Sequence, residues 1–124
     1  MNVVDSSAWV EYFAGGENAF EFAAAIEDTD QLIVPSLAIY EVFKRVSQLQ
    51  GEGAAMQAIA AMLGGKVADL TASVALEAAR ISLRERLSPA DSIILATARL
   101  ESATLWTQDA HFDGLDSVEY RTKA

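Results

Sequence analysis

Short apolar segments alternate with longer segments of helical periodicity, and this alternation constrains the fold more than any other feature of the chain. Strands are predicted over Asn2–Val4, 32–34, 66–69, Thr104–Thr107 and Val118–Tyr120. Helices are predicted over 17–26, 37–50, 54–63, 72–86 and Pro89–Leu100. The first two strands are almost wholly apolar, which is typical of strands covered on both faces. Strands and helices in alternation predict an α/β layered fold with a parallel sheet.

Local signals mark several helix ends. Thr71 and Ser88 are natural N-caps, and Pro89 suits the first position of a helix. The pair Gly64 and Gly65 is expected to end the helix over 54–63, because glycine adopts the left-handed cap conformation without steric cost.

The charge and the missing residue types exclude several functional classes. Nine Lys and Arg oppose 18 Asp and Glu, which gives a formal net charge of −9. The absence of Cys excludes disulfides, iron–sulfur clusters and Cys-type zinc sites, and a single His, His111, excludes a three-histidine zinc site. An acidic chain cannot bind nucleic acid by bulk charge, so such a partner requires a local basic patch or bound cations. With neither a signal peptide nor an apolar run of about 18 residues, the sequence predicts a soluble cytoplasmic protein.

Three acidic residues fall where ligands bind in parallel sheets. Asp5 ends the first predicted strand, Asp109 follows the fourth, and Asp91 lies in the first turn of the last helix. The carboxyl ends of parallel strands and the adjoining helix starts share one edge, so these side chains are expected to gather there. Clustered carboxylates repel unless they protonate or hold a cation, and oxygen ligands select Mg²⁺ or Mn²⁺. Each acid also has a structural alternative: a helix cap, a capping box with Ser88, or a turn.

Four blocks of sequence carry these acids and one more. They are VVDSSAWV at 3–10, PSLAIYEV at 35–42, LSPADSIILA at 87–96 and LWTQDAHF at 105–112. In order and spacing, the blocks resemble the motifs of PIN-domain ribonucleases, in particular the VapC-type toxins of type II toxin–antitoxin pairs. The resemblance implies a single PIN domain over 1–124, with a three-layer α/β/α sandwich around a central parallel sheet of about five strands.

The resemblance also implies a set of site residues and partners. The matching catalytic and metal-binding acids are Asp5, Glu41, Asp91 and Asp109, and the matching supporting residues are Ser6 and Thr107. The implied activity is that of an endoribonuclease in which one or two Mg²⁺ or Mn²⁺ ions activate water for attack on a phosphodiester. The implied partners are a cognate VapB-like antitoxin, a second copy of the chain as a homodimer, and structured or single-stranded RNA. An antitoxin tail is expected to place an Arg or Lys among the carboxylates and to bury apolar residues near Trp9 and Phe13.

Alternatives remain for the site and for the whole chain. Glu41 as a site residue rests on the resemblance, and its alternative is a surface ion pair with Arg45. A receiver-like phosphoacceptor domain has similar length and layering, but it normally shows an acidic pair after its first strand, where this chain has Asp5 followed by Ser6. A catalytically silent, partner-binding PIN module is the third reading, and the intact acidic quartet argues against it.

Other residues are interpreted as structural, although each has a functional alternative. His111 is interpreted as a solvated turn residue rather than a general base. The arginines of the helix over 72–86 are interpreted as a solvated face rather than contacts to RNA phosphates, and the aromatic residues of segment 9–13 as packing or dimer contacts. A role for Asp113 or Asp116 in metal binding is unsupported. The arginines of the helix over 72–86 are Arg80, Arg84 and Arg86, and the aromatic residues of segment 9–13 are Trp9, Tyr12 and Phe13.

Overall fold

The computed structural model describes residues 1–123, within which five strands alternate with six helices. The strands are β1 (Asn2–Val4), β2 (Leu32–Pro35), β3 (Lys66–Ala68), β4 (Thr104–Thr107) and β5 (Val118–Tyr120). The helices are α1 (Ser6–Ala14), α2 (Ala19–Glu27), α3 (Ser36–Gln50), α4 (Glu52–Met62), α5 (Ala72–Glu85) and α6 (Pro89–Leu100). Every predicted element is present, with ends within two residues of those expected. The α/β fold is therefore confirmed, and α1 is an additional helix.

The sheet is parallel throughout, with the strand order β3-β2-β1-β4-β5. Successive strands move outward from β1 to β3, and the chain then returns to place β4 on the other side of β1. Right-handed crossovers put α1 to α4 on one face of such a sheet and α5 and α6 on the other, which gives the three expected layers. A receiver-like fold has β1 between β2 and β3, whereas β1 here lies between β2 and β4. The receiver alternative is therefore wrong.

The central strands form the middle of the hydrophobic core. Val3, Val4, Ile33 and Leu105 are fully buried, because helices cover both faces of β1, β2 and β4. The register aligns Val4 of β1 with Trp106 of β4. This alignment determines which residues meet beyond the strand ends, where the candidate site lies.

The first helix contributes its aromatic residues to packing. Trp9 is fully buried and stacks on Phe13, with ring centroids 5.6 Å apart. The packing interpretation of these aromatics is thus supported. Trp9 itself cannot contact an antitoxin tail, because none of its surface is accessible, whereas Phe13 is only partly buried, so docking near Phe13 stays a prediction.

The glycine pair after α4 has a different role from the one predicted. The helix ends at Met62, Leu63 keeps a right-handed conformation, and neither Gly64 nor Gly65 has a positive φ. A Cβ on Gly65 would lie 2.8 Å from Leu32 Cγ and 2.9 Å from the Leu32 carbonyl oxygen. Gly65 is required because the chain entering β3 passes close to the backbone of β2, and not because it caps the helix.

Within residues 1–123, none of the helices combines the length and the apolar character needed to cross a lipid bilayer.

Candidate active site

The candidate site lies at the carboxyl edge of the sheet, between β1 and β4. The strand order reverses at this point, because β2 and β3 lie on one side of β1 and β4 and β5 lie on the other. Such topological switch points form the ligand crevice of open α/β sheets. Asp5 directly follows β1, and its backbone amide donates to the carbonyl of Trp106 at 2.9 Å. The β1–β4 register therefore places Asp5 beside Thr107.

A hydroxyl network holds the carboxylate of Asp5. Its Oδ2 accepts hydrogen bonds from Ser7 Oγ at 2.7 Å and from Thr107 Oγ1 at 3.0 Å. Asp5 is only 3% exposed. Thr107 Oγ1 also accepts from the Asp109 backbone amide at 2.9 Å, so a single hydroxyl links the acids that follow β1 and β4. Asp5 occupies the N-cap position of α1, but its side chain makes no capping bond. The capping alternative for its carboxylate is therefore wrong.

Ser7 is a supporting residue that the sequence analysis missed. Besides donating to Asp5, its hydroxyl accepts from the backbone amide of Gln108 at 3.3 Å. Ser6 lies instead beside the Glu41 carboxyl, where it opposes part of the rise in the pKa of that group. No local signal separates Ser7 from Ser6, because both lie in the first turn of α1, and it is the tertiary contact with Gln108 that distinguishes Ser7.

Asp91 and Asp109 come together with His111 at the exposed end of the site. Nδ1 of His111 lies 3.4 Å from Asp91 Oδ2 and 3.4 Å from Asp109 Oδ1. One ligand atom from each of the three residues fits within a cluster 4.8 Å across. The His111 side chain is 76% exposed, as expected for a solvated turn residue, and its backbone amide donates to Asp109 Oδ1 at 2.9 Å.

The structural alternatives for Asp91 and Asp109, a capping box and a turn, are confirmed in part. The Ser88 hydroxyl accepts from the Asp91 amide at 3.3 Å, which caps α6. The reciprocal bond from the Ser88 amide to the Asp91 carboxylate is not found in the described part of the chain. Asp109 begins the short 3₁₀ turn Ala110–Phe112. Both acids thus have a structural role, and both keep carboxylate oxygens directed toward the cluster.

Glu41 joins the other acids from the second turn of α3. Its alternative partner, Arg45, forms no ion pair with it within residues 1–123. Burial raises the pKa of Glu41, and the charges of Asp5, then Asp91 and Asp109, raise it further. The surface ion-pair interpretation of Glu41 is therefore wrong.

Burial and, to a smaller extent, mutual repulsion raise the pKa values of the carboxyl groups in the site. Burial raises the pKa of Asp5 most, the bonds from Ser7 and Thr107 lower it, and the nearby carboxylates raise it again. The pKa of Asp91 is raised by burial and then by Asp109, while Ser88 and His111 oppose the rise. Three carboxyl groups with raised pKa values face one space, so their ionised forms are destabilised there unless a positive charge is present.

The donor set fits a hard divalent cation. Both hydrogen bonds to Asp5 fall on Oδ2, and none to Oδ1 is found among residues 1–123. Carboxylate oxygens favour Mg²⁺ or Mn²⁺, and the imidazole of His111 is a ligand that Mn²⁺ tolerates better than Mg²⁺. Asp113 and Asp116 lie outside the cluster of Asp91, Asp109 and His111 in the described part of the chain.

The fold and this acidic edge define a protein class. The sequence model of the PIN domain matches residues 3–118, and the chain belongs to the PIN domain family.

Solved structures show the same fold over nearly the full chain. A toxin–antitoxin complex from Klebsiella pneumoniae has 21% identity and a TM-score of 0.81, covering 96% of this chain and 96% of its own. VapC20 of Mycobacterium tuberculosis, a sarcin–ricin loop cleaving toxin, has 22% identity and a TM-score of 0.81, covering 98% and 99%. VapBC2 from Rickettsia felis, bound to a promoter DNA fragment, has 13% identity and a TM-score of 0.75, covering 98% and 97%. No curated protein sequence matches this chain significantly.

Proposed function

We propose that this protein is a divalent-metal-dependent endoribonuclease and acts as the toxin of a VapBC-like pair. The observation that carries the proposal is the convergence of Asp5, Glu41, Asp91 and Asp109 at the switch point of a PIN fold. Membership of the PIN family and the structural likeness to toxins such as VapC20 support it. The proposal treats residues 1–124 as one PIN domain.

The four acids would hold one or two Mg²⁺ or Mn²⁺ ions. Such ions supply an activated water and neutralise charge on the phosphate oxygens. Ser7 and Thr107 favour the ionised form of Asp5, which is the form that binds a cation. Thr107 also fixes the backbone that carries Asp109. With water as nucleophile instead of the ribose 2′-hydroxyl, the cut RNA should carry 5′-phosphate and 3′-hydroxyl ends.

Cleavage of a labelled RNA pool in Mn²⁺, in Mg²⁺ and in EDTA tests the activity. We expect cleavage with either metal, none in EDTA, and 5′-phosphate ends on the products. Asp91→Asn removes one charge yet keeps the backbone amide that Ser88 caps, so its stability should stay within about 1 kcal/mol of the parent. Its cleavage rate should fall by about 100-fold or more, as for other groups that stabilise transition-state charge.

Asp30→Asn is the matched control for this variant. Asp30 is exposed and precedes β2, at the opposite edge of the sheet from the acids. The control should cleave at the parent rate. If the parent protein leaves every RNA intact in Mn²⁺, the catalytically silent, partner-binding module becomes the correct reading. If Asp91→Asn cleaves as fast as Asp30→Asn, Asp91 is only a capping residue.

The proposed toxin role includes an antitoxin partner. An apolar groove between α3 and α4 is lined by Ile39, Phe43, Met56 and Ile59, and it meets the acidic edge along Tyr40. Apolar residues of an antitoxin tail would bury here instead of against Trp9, while an Arg of the tail bridges the carboxylates. A tail peptide should therefore inhibit cleavage in competition with Mn²⁺. Inhibition that is indifferent to Mn²⁺ and to an Arg→Ala change in the peptide would contradict this mode.

A homodimer is the last part of the proposal. Leu76 and Leu83 are 61% and 86% exposed, and they lie seven residues apart on α5, which places them on one face of the helix. Sedimentation equilibrium of the parent and of Leu83→Glu tests whether this face joins two copies. A monomeric parent protein would refute the dimer.

A further inference from the structure

A cleft between α1 and α3 opens directly beside the acids. Its volume is about 450 Å³, and Ser6, Ser7 and Glu41 of the acidic edge form one end of it. The rest of its lining includes Lys44, Arg45 and Lys123. Glu11 also lines the cleft, so its two acidic and three basic side chains give a formal charge of +1. The cleft is therefore continuous with the candidate active site but differs from it in the sign of its charge.

The basic residues of the cleft are unusual for this chain. Of its nine Lys and Arg residues, four form ion pairs with acidic side chains; they are Lys66, Arg80, Arg84 and Arg121. The basic residues that form no ion pair within residues 1–123 are Lys44, Arg45, Arg86, Arg99 and Lys123. Three of these five line the same cleft, although the protein carries a net charge of −9. The Lys and Arg side chains that form no ion pair within residues 1–123 are thus concentrated beside the cluster of acids.

Helix geometry explains why Glu41 and the basic residues Lys44 and Arg45 line the same side of the cleft. Glu41, Lys44, Arg45 and Gln48 are spaced at i, i+3, i+4 and i+7, so they form one face of α3. Each residue adds about 1.5 Å along the axis, which places the two cations about one turn from Glu41. Lys44 Nζ lies 5.8 Å from the centroid of the Tyr40 ring, a cation–π contact that holds the ammonium along the wall.

The segment after β5 completes the opposite side of the cleft. The backbone amide of Arg121 donates to the Thr107 carbonyl at 2.9 Å. Asn18 Nδ2 donates to the Thr122 carbonyl at 2.9 Å and to Gln108 Oε1 at 3.0 Å. These bonds secure the segment that carries Lys123 to the loop that follows β4.

We propose that this basic cleft binds the backbone phosphates of the RNA strand next to the phosphate that lies at the acids, with Lys44 and Arg45 as the main contacts. The inference rests on the proposed function and adds the path of the substrate strand. An RNA strand approaching four carboxylates meets repulsion, and two cations one helical turn away supply the local attraction that the net charge of −9 denies it. A phosphate contact positions the strand without reading its bases, so the cleft contributes affinity rather than sequence preference.

Binding of a labelled single-stranded RNA, measured by fluorescence anisotropy in EDTA, tests the cleft without cleavage. The test variant is Lys44→Gln/Arg45→Gln. The matched control is Arg80→Gln/Arg84→Gln, which removes two exposed arginines from α5 on the other face of the sheet. At about 50 mM salt we expect the test variant to bind at least tenfold more weakly than the parent, and the control to bind within about twofold.

The salt dependence and the kinetics give two further readouts. The slope of log K against log salt should fall by about 1.4 in the test variant, because each contact to a single strand contributes about 0.7. In Mn²⁺ its KM for RNA should rise about tenfold or more while kcat changes less than about threefold, since phosphate contacts bind ground state and transition state alike. The Mn²⁺-induced rise in Tm should equal that of the parent, which separates loss of RNA binding from damage to the acids.

The outcomes distinguish this inference from the proposed function. RNA binding that depends on Lys44 and Arg45 without any cleavage would refute the nuclease and keep the cleft. Cleavage by the parent together with equal RNA binding by the test and control variants would refute the cleft and keep the nuclease. A parent protein that does not bind RNA even at low salt would overturn the inference.

Discussion

Replacing Thr107 with Val removes one buried hydroxyl and changes the shape of the side chain very little. That hydroxyl donates to Asp5 Oδ2 at 3.0 Å and accepts from the Asp109 amide at 2.9 Å. A hydrogen bond to a charged group contributes about 1.5–3 kcal/mol, and an amide left without a partner costs about 1–3 kcal/mol. Asp109 is partly exposed, so water can recover part of the second loss. We therefore expect Thr107→Val to lower the free energy of unfolding by about 3 kcal/mol.

Thr97→Val is the matched control for this substitution. Thr97 is also buried, but its hydroxyl donates to the Ile93 carbonyl one turn back in α6, where the carbonyl retains its helical hydrogen bond. The control should cost less than about 1 kcal/mol, since no charged or backbone group loses its only partner. Urea unfolding of both variants gives the comparison, with equal m-values required before midpoints are converted into free energies.

The pH dependence of the difference identifies its cause. Hydrogen bonds from Ser7 and Thr107 lower the pKa of Asp5, so they stabilise its ionised form. Thr107→Val should therefore lower the free energy of unfolding more than Thr97→Val does, and this difference should be largest at about pH 8, where Asp5 is ionised. The difference should become smaller as the pH falls toward about 5 and Asp5 takes up a proton. Thr107→Ser keeps the hydroxyl and should restore RNA cleavage that Thr107→Val loses. If the two valine variants are equally stable at about pH 8 and both cleave RNA, Thr107 does not hold the acids in place.

Two further predictions concern the acids and their cation. A divalent ion at 100 times its Kd should stabilise the fold by about 2.7 kcal/mol and raise Tm by about 10 °C, so scans in EDTA, Mg²⁺ and Mn²⁺ with the same Tm would contradict a metal site. Folding raises the pKa values of Asp5, Glu41 and Asp91. At a pH above the usual pKa values of carboxyl groups, the folded protein in EDTA therefore binds more protons than the unfolded chain. Its stability should therefore fall as the pH rises from about 5 to about 8, and Asp5→Asn should flatten this decline. A urea midpoint in EDTA that rises over the same interval would show that folding does not raise the pKa values of these carboxyl groups.

The sequence by itself determined the elements and the location of three acids. Hydrophobic periodicity and cap residues are local signals, so the strands and five of the helices were predicted to within two residues. Asp5, Asp91 and Asp109 could be assigned to one edge without coordinates, because parallel strands all end at the same side of a sheet. The helix α1 was the element whose range was not predicted, since its aromatic residues fit both packing and surface contact.

Only the tertiary structure decided how those residues meet. Glu41 approaches the other acids because α3 packs against α1 and α6, and helical spacing alone does not distinguish that position from a surface pair with Arg45. The role of Ser7 depends on Gln108, which is distant in sequence, and the burial of Trp9 depends on the helices around it. The cleft with Lys44 and Arg45 likewise forms only when α1 and α3 lie side by side. Periodicity describes one element at a time, whereas a site is made by side chains from several elements whose separation depends on packing.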